Sequence, residues 1–115
     1  MAKIGQFVND PKLGAYCTIT LDSGDKILVN HDKGSLKGGR LTIESSKLMG
    51  LRSERIFTCN LDDPQGQAAL SGLTRDAQPG SSEATPLGAL VDYVKECRSL
   101  AEVREKCGAL PPGAR

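Results

Sequence analysis

Aromatic side chains are scarce in this chain of 115 residues, of which they make up only 3%. Tryptophan is absent, and the four aromatic residues are Phe7, Tyr16, Phe57 and Tyr93. Large rings usually supply much of the buried area of a core. We therefore expect a core built mainly from Leu, Ile, Val and Ala.

Long hydrophobic runs are also missing. No segment approaches the roughly 20 apolar residues of a membrane span, and residues 1–12 contain no apolar run long enough for a signal peptide. We therefore expect a cytoplasmic protein with no membrane partner. In that compartment Cys17, Cys59, Cys97 and Cys107 are expected to be reduced thiols.

An excess of charge of one sign is the third absence, because the formal net charge is only +1. The segment up to Cys59 holds nine Lys and Arg against six Asp and Glu, and the remainder holds six against eight. This asymmetry is mild, whereas nucleic-acid-binding domains usually carry a much stronger basic patch. Charge alone therefore does not identify an anionic partner.

The pattern up to Leu61 alternates between apolar and polar residues with the period of two that β-strands have. The short polar loop at residues 22–25 contains a glycine and separates two such runs, which predicts a hairpin. The strands predicted from this alternation cover residues 4–8, 16–21, 26–30, 40–44 and 54–61.

The period changes to that of helices after Leu61. Asp63 and Thr85 each precede a proline, as N-cap residues often do, and Ser99 begins a capping box that Glu102 completes. We predict an α+β fold, in which an antiparallel meander or small open barrel of about four or five strands is covered by two or three C-terminal helices. The domain is expected to span residues 1–110, with a flexible tail at 111–115.

Catalytic and metal-binding patterns are sparse. The four cysteines lack the short paired spacing of a structural zinc site, so we predict small apolar core side chains and no metal or other cofactor. His31, the one histidine, is the single catalytic candidate, since Cys17 or Cys59 could serve as a nucleophile if the fold brought either thiol to the imidazole. That arrangement would make a small hydrolase or transferase; the alternative is an exposed histidine in a turn.

A second hypothesis comes from the glycine-rich segment 34–40. Glycines let backbone amides approach a phosphate, although the order of a Walker A loop is missing. With the basic residues that follow, this segment predicts a nucleic-acid or phosphate-ligand surface of modest, salt-dependent affinity. Its residues are Lys33, Lys37, Arg40, Lys47, Arg52 and Arg55. The alternative is a solvated hairpin loop.

The leading hypothesis rests on an apolar cluster between two predicted strands, which consists of Leu48, Met49 and Leu51. If exposed, this loop is an interaction patch; if buried, it closes one end of the core. A free sheet edge offers another way to associate. We therefore expect a non-enzymatic interaction module that forms a homodimer, another homo-oligomer or a complex with a protein partner.

Overall fold

The computed structural model describes residues 2–34, 37–47, 52–75 and 85–110. The loop 48–51 and the tail 111–115, for which predictions were made above, lie outside the described residues. The strands are β1 (Lys3–Ile4), β2 (Val8–Asp10), β3 (Gly14–Thr20), β4 (Lys26–His31), β5 (Arg40–Lys47) and β6 (Arg52–Asn60). The helices are α1 (Pro64–Arg75), α2 (Pro86–Lys95) and α3 (Leu100–Gly108). The predicted α+β fold is therefore confirmed.

The strands form one antiparallel sheet with the order β1-β3-β4-β5-β6, and β2 pairs with the same strand β3 as β1 does. From β3 to β6 each strand pairs with the next in the chain, which is the predicted meander. The predicted first strand is divided in two, because the chain between Ile4 and Val8 leaves the regular pairing while the Gly5 amide still donates to Thr18 O at 2.8 Å.

One face of the sheet forms the core together with the helices. The side chains that alternate toward it are almost fully buried and mainly aliphatic, and Phe57 and Tyr93 are the two aromatic residues of the described core. The sheet contributes Cys17, Ile19, Ile27, Val29, Leu41, Ile43, Phe57 and Cys59, and the helices contribute Leu73, Leu90, Val91, Val94 and Val103.

Hydrogen bonds at the starts of α2 and α3 match the caps predicted from sequence at Thr85 and Ser99. Thr85 Oγ1 accepts the Gly88 amide at 3.1 Å, and Ser99 Oγ accepts the Glu102 amide at 3.4 Å. Glu102 reaches back to the Arg98 amide at 2.8 Å, one residue before the position of a standard capping box. Both helices therefore begin where side chains satisfy backbone amides that have no partner within the helix.

The third helix is tied to its neighbours by polar contacts. Tyr93 Oη donates to Lys106 O at 2.6 Å, and Lys106 Nζ donates to Tyr93 O at 3.0 Å. The β3–β4 loop is bound to the start of α3, since the Leu100 amide donates to Asp25 Oδ2 at 3.0 Å. Within the described part of the chain, no helix is long and apolar enough to cross a membrane.

A candidate interaction face on the sheet

The face of the sheet that points away from the helices is here called the open face, and it carries Tyr16, Leu28, Asn30, Thr42 and Glu44. No described helix packs on it. Cross-strand pairing aligns its side chains in rows that run across the strands. The first row is Tyr16, Asn30, Thr42 and Thr58, and the second is Thr18, Leu28, Glu44 and Arg55.

A groove of about 380 Å³ runs over this face. Its volume falls within the range of about 300–1,000 Å³ that is usual for binding pockets. Apolar, polar and charged side chains line it: Leu13, Tyr16, Leu28, Asn30, Asp32, Arg40, Thr42, Glu44 and Arg55. It is therefore an amphipathic surface that lies across strands β3, β4, β5 and β6.

The charged groups of the groove balance one another. Arg55 Nε lies 3.9 Å from Glu44 Oε1, which is a long ion pair at an exposed site. The Arg40 amide donates to Asp32 Oδ1 at 2.8 Å, whereas its guanidinium has no hydrogen bond or ion pair to another residue that the structure describes. The groove thus carries two basic and two acidic side chains, and among the residues that the structure describes the Arg40 guanidinium has no ion-pair partner.

Asn30 fixes one end of the groove. Its Nδ2 donates to Leu13 O and to Ala15 O, both at 3.0 Å. These two bonds hold the turn before β3 against β4, and Leu13 at the edge of the groove is 61% exposed. These bonds tie the backbone at this end of the groove to β4.

The predicted basic surface is divided by the fold. Arg40 and Arg55 both line the groove, and Lys33 and Lys37 are exposed in the loop between β4 and β5. Lys47 and Arg52 are opposite each other in the backbone pairing at the far end of β5 and β6. Lys47 lies seven positions along β5 from Arg40, which is about 23 Å. The six basic residues therefore do not form one patch, and their predicted role in binding stays a prediction.

Two backbone amides at the end of the glycine-rich loop are already bonded to carboxylates. The Arg40 amide donates to Asp32, and the Gly39 amide donates to Asp62 Oδ2 at 3.4 Å. A Cβ at Gly38 would lie 2.3 Å from Asp62 Oδ1, so this carboxylate packs directly on the loop. A phosphate would have to displace two carboxylates to reach these amides.

His31 is buried, so the interpretation as an exposed turn histidine is wrong. Its side chain is 0% exposed, its Nε2 lies 2.8 Å from Gly38 O, and its buried Nδ1 has no hydrogen-bond partner among the described residues. The loop 37–39 folds back over the end of β4 and covers the ring. In this arrangement no substrate reaches the imidazole, and the proposed catalytic role remains without support from the geometry.

The two candidate thiols do not form a pair with His31. Cys59 shares its row on the buried face but lies two strands away, about 10 Å. Cys17 Sγ donates instead to Gly5 O at 3.5 Å. Burial raises the pKa of Cys17, and it raises the pKa of Cys59 to about 11. Both thiols are therefore protonated at neutral pH, whereas a nucleophilic cysteine needs a thiolate.

Metal-binding groups are dispersed in the part of the chain that the structure describes. Within it, no three His, Cys, Asp or Glu side chains lie close enough to hold a metal ion. All four cysteines are free and buried, which agrees with their prediction as small core side chains.

The sheet edges are interrupted. The edge strand β6 has a β-bulge at Ile56 and carries Glu54 and Arg55, and both features hinder pairing with another strand. At the other edge, the pairing of β1 and β2 with β3 is broken between Ile4 and Val8. As far as the structure describes them, neither edge offers a long and regular row of free backbone groups.

Tyr16 and Leu28 were not among the candidate residues from sequence, although both line the groove. Leu28 did carry a signal, because it stands between the buried residues Ile27 and Val29 where alternation calls for a polar side chain. Tyr16 likewise occupies the polar side of its strand. An apolar residue on the outward side of a strand thus marks this surface.

The chain matches no protein-family model, no curated protein and no solved structure. No relative therefore indicates which of these residues has a function.

Proposed function

We propose that this protein is a non-enzymatic interaction module that associates with a second copy of itself through the open face of its sheet. The observation that carries the proposal is the amphipathic groove on a sheet face without any described covering helix. Tyr16 and Leu28 supply apolar area there, and polar side chains surround them. Aromatic and aliphatic residues that are flanked by polar groups are typical of protein interfaces.

The balance of charge favours a second copy over an anionic partner. Two basic and two acidic side chains line the groove, so a strongly acidic or basic ligand would meet repulsion from half of them. A surface with equal numbers of both signs can be complementary to itself, as the interface of a two-fold dimer must be.

The open face supports association better than the sheet edges do. Ile56 forms a bulge in β6, and the chain between Ile4 and Val8 interrupts the other edge. The apolar loop at Leu48, Met49 and Leu51 remains a rival contact surface, and the experiment below separates the two.

Sedimentation velocity from about 10 to about 500 µM protein tests the proposal, since this range brackets a dimer of modest affinity. We expect a dimer that dissociates on dilution and that Leu28→Asp abolishes. Ile4→Asp is the matched control, because Ile4 is an exposed apolar residue on β1, outside the groove, and it should leave the dimer intact. A protein that stays monomeric throughout would overturn the proposal. So would a dimer that Met49→Asp breaks and Leu28→Asp does not.

A second candidate function is the binding of single-stranded nucleic acid in the same groove. The observation that favours it is that Tyr16, Arg40 and Arg55 all line this groove, because ring stacking and phosphate contact together are what such sites use. Fluorescence anisotropy with a labelled oligonucleotide at low salt would test it. Tyr16→Ala and Arg40→Glu should each weaken binding, and no binding at low ionic strength would exclude this role.

A further inference from the structure

Three residues of β5 form a line on the open face with Thr42 at its centre. Arg40 lies two residues before Thr42 and Glu44 two residues after it. Two residues of strand span about 6.6 Å, so opposite charges stand at equal distances on either side of Thr42. Arg40 has no ion-pair partner among the described residues, and Glu44 has only the long contact to Arg55.

The row through Thr42 crosses four strands and contains Tyr16, Asn30 and Thr58. If a two-fold axis lies along this row, each strand of one copy faces the same strand of the other in the reverse direction. A residue two positions before the row then faces the residue two positions after it in the second copy. Packed sheets lie about 10 Å apart, a gap that an Arg and a Glu side chain together can span.

We propose that two copies of this chain meet face to face about such an axis, so that Arg40 of each copy pairs with Glu44 of the other. This inference rests on the proposed function and specifies its geometry. The two ion pairs are equivalent by symmetry, as an isologous interface requires. They give the Arg40 guanidinium an ion-pair partner, which it lacks among the described residues of its own chain.

The other residues of the groove are compatible with this arrangement. Tyr16 meets Tyr16 of the second copy on the axis, and uncharged Asn30 and Thr42 likewise meet their own counterparts. Leu28 comes opposite Asp32, whose carboxylate is already held by the Arg40 amide at 2.8 Å. No like charges are apposed in these rows.

The size of the contact sets its strength. Four strands and three rows cover about 20 by 20 Å, or about 400 Å² on each copy. A standard interface buries about 800 Å² on each partner, so this dimer is weak and transient. Ion pairs at an exposed interface are screened by salt, and we expect its dissociation constant to rise with ionic strength.

Charge reversal in two separate chains tests the pairing directly. Arg40→Glu alone places two carboxylates opposite each other at both sites, and Glu44→Arg alone places two guanidinium groups there. Each variant should self-associate about 10- to 30-fold more weakly than the original chain. An equimolar mixture of the two variants should form a heterodimer of the original affinity, because both sites then hold opposite charges.

Two controls make the result specific. Lys26→Glu reverses a charge in the row of Lys26 and Ser46, which lies outside the three apposed rows, and it should leave the dimer unchanged. The double variant Arg40→Glu with Glu44→Arg should self-associate like the original chain, which shows that each reversed side chain is compatible with folding.

The outcomes distinguish this inference from the proposed function. A chain that is monomeric at all concentrations overturns both. A dimer that Leu28→Asp abolishes, but that both single reversals leave intact, overturns only the Arg40–Glu44 pairing. Failure of the mixture to regain affinity, when the double variant does regain it, also overturns the pairing, since the two experiments present the same apposed charges.

Discussion

Gly66 is a position where one added methyl group should be damaging. It is the third residue of α1, and it lies against the end of β6. A Cβ at this position would stand 1.8 Å from Asn60 O and 2.5 Å from Asn60 C. Both are backbone atoms, and Asn60 O also accepts the Asp63 amide at 3.1 Å. The carbonyl cannot rotate away, so Gly66→Ala must push the helix off the strand.

The magnitude follows from that displacement. The Cβ needs a separation of at least 3.0 Å, so α1 has to retreat by more than 1 Å from a fixed carbonyl. Forced overpacking of this kind costs typically about 1–3 kcal/mol, and we take the upper end because the atom met is backbone. Alanine in a helix regains about 1 kcal/mol relative to glycine. The net loss is about 2 kcal/mol, or about 8 °C in the melting temperature of a chain this size.

Urea unfolding followed by circular dichroism measures this loss. Gly108→Ala is the matched control, because Gly108 is the last residue of α3 and an added Cβ there meets nothing within 4 Å. It should be neutral or stabilise by up to about 1 kcal/mol. If Gly66→Ala proved as stable as the original chain, the close approach of α1 to the end of β6 would be refuted.

Three further predictions concern Cys107, Asp25 and His31. Burial raises the pKa of Cys107 to about 12 from an ordinary value of 9.0, so folding binds the thiol proton more tightly. Stability should therefore fall as the pH rises above 9.0, and Cys107→Ala should lessen that fall in urea titrations at about pH 8 and about pH 10.5. Hydrogen bonds from the Ser23 hydroxyl and, to a lesser degree, the Leu100 amide lower the pKa of Asp25 below its ordinary value of 3.8. The stability that the Asp25 carboxylate contributes is therefore present above pH 3.8, and it is lost as the pH falls through the pKa that this group has in the folded chain. Asp25→Asn should destabilise by about 1 kcal/mol at neutral pH, and thermal melts should show the difference closing in acid. His31→Ala should cost about 3 kcal/mol through the cavity it leaves; an unchanged urea midpoint would contradict the burial of this ring.

Local sequence predicted the features of the fold that depend on local chemistry. Alternation gave the buried side of each central strand, because burial of one face requires a period of two. Ser99 and Thr85 marked helix starts, because their hydroxyl groups satisfy backbone amides in any fold. The division of the first strand was missed, since the break after Ile4 depends on how Gly5 meets Thr18 across the sheet.

The environment of His31 could not be predicted, because residues distant in sequence create it. The ring is covered by the loop that holds Gly38, seven positions along the chain, and that loop is held in turn by Asp62. Ser45 is a similar case. A serine ends the apparent alternation of β5, yet the strand continues through it, and Ser45 is 2% exposed on the helix side of the sheet.

The candidate site depends most on one extra residue in β6. Ile43 pairs with Phe57, and regular pairing would then place Ile56 opposite Glu44. The bulge instead brings Arg55 opposite Glu44, and Ile56 packs against the core. The same shift sends Glu54 to the helix side, where it forms an ion pair with Arg104 of α3. A strict period of two through this strand would assign Arg55 to the core and Glu54 to solvent. The charge pattern of the open face is therefore a property of strand register, and it becomes visible only when the partner of each residue is known.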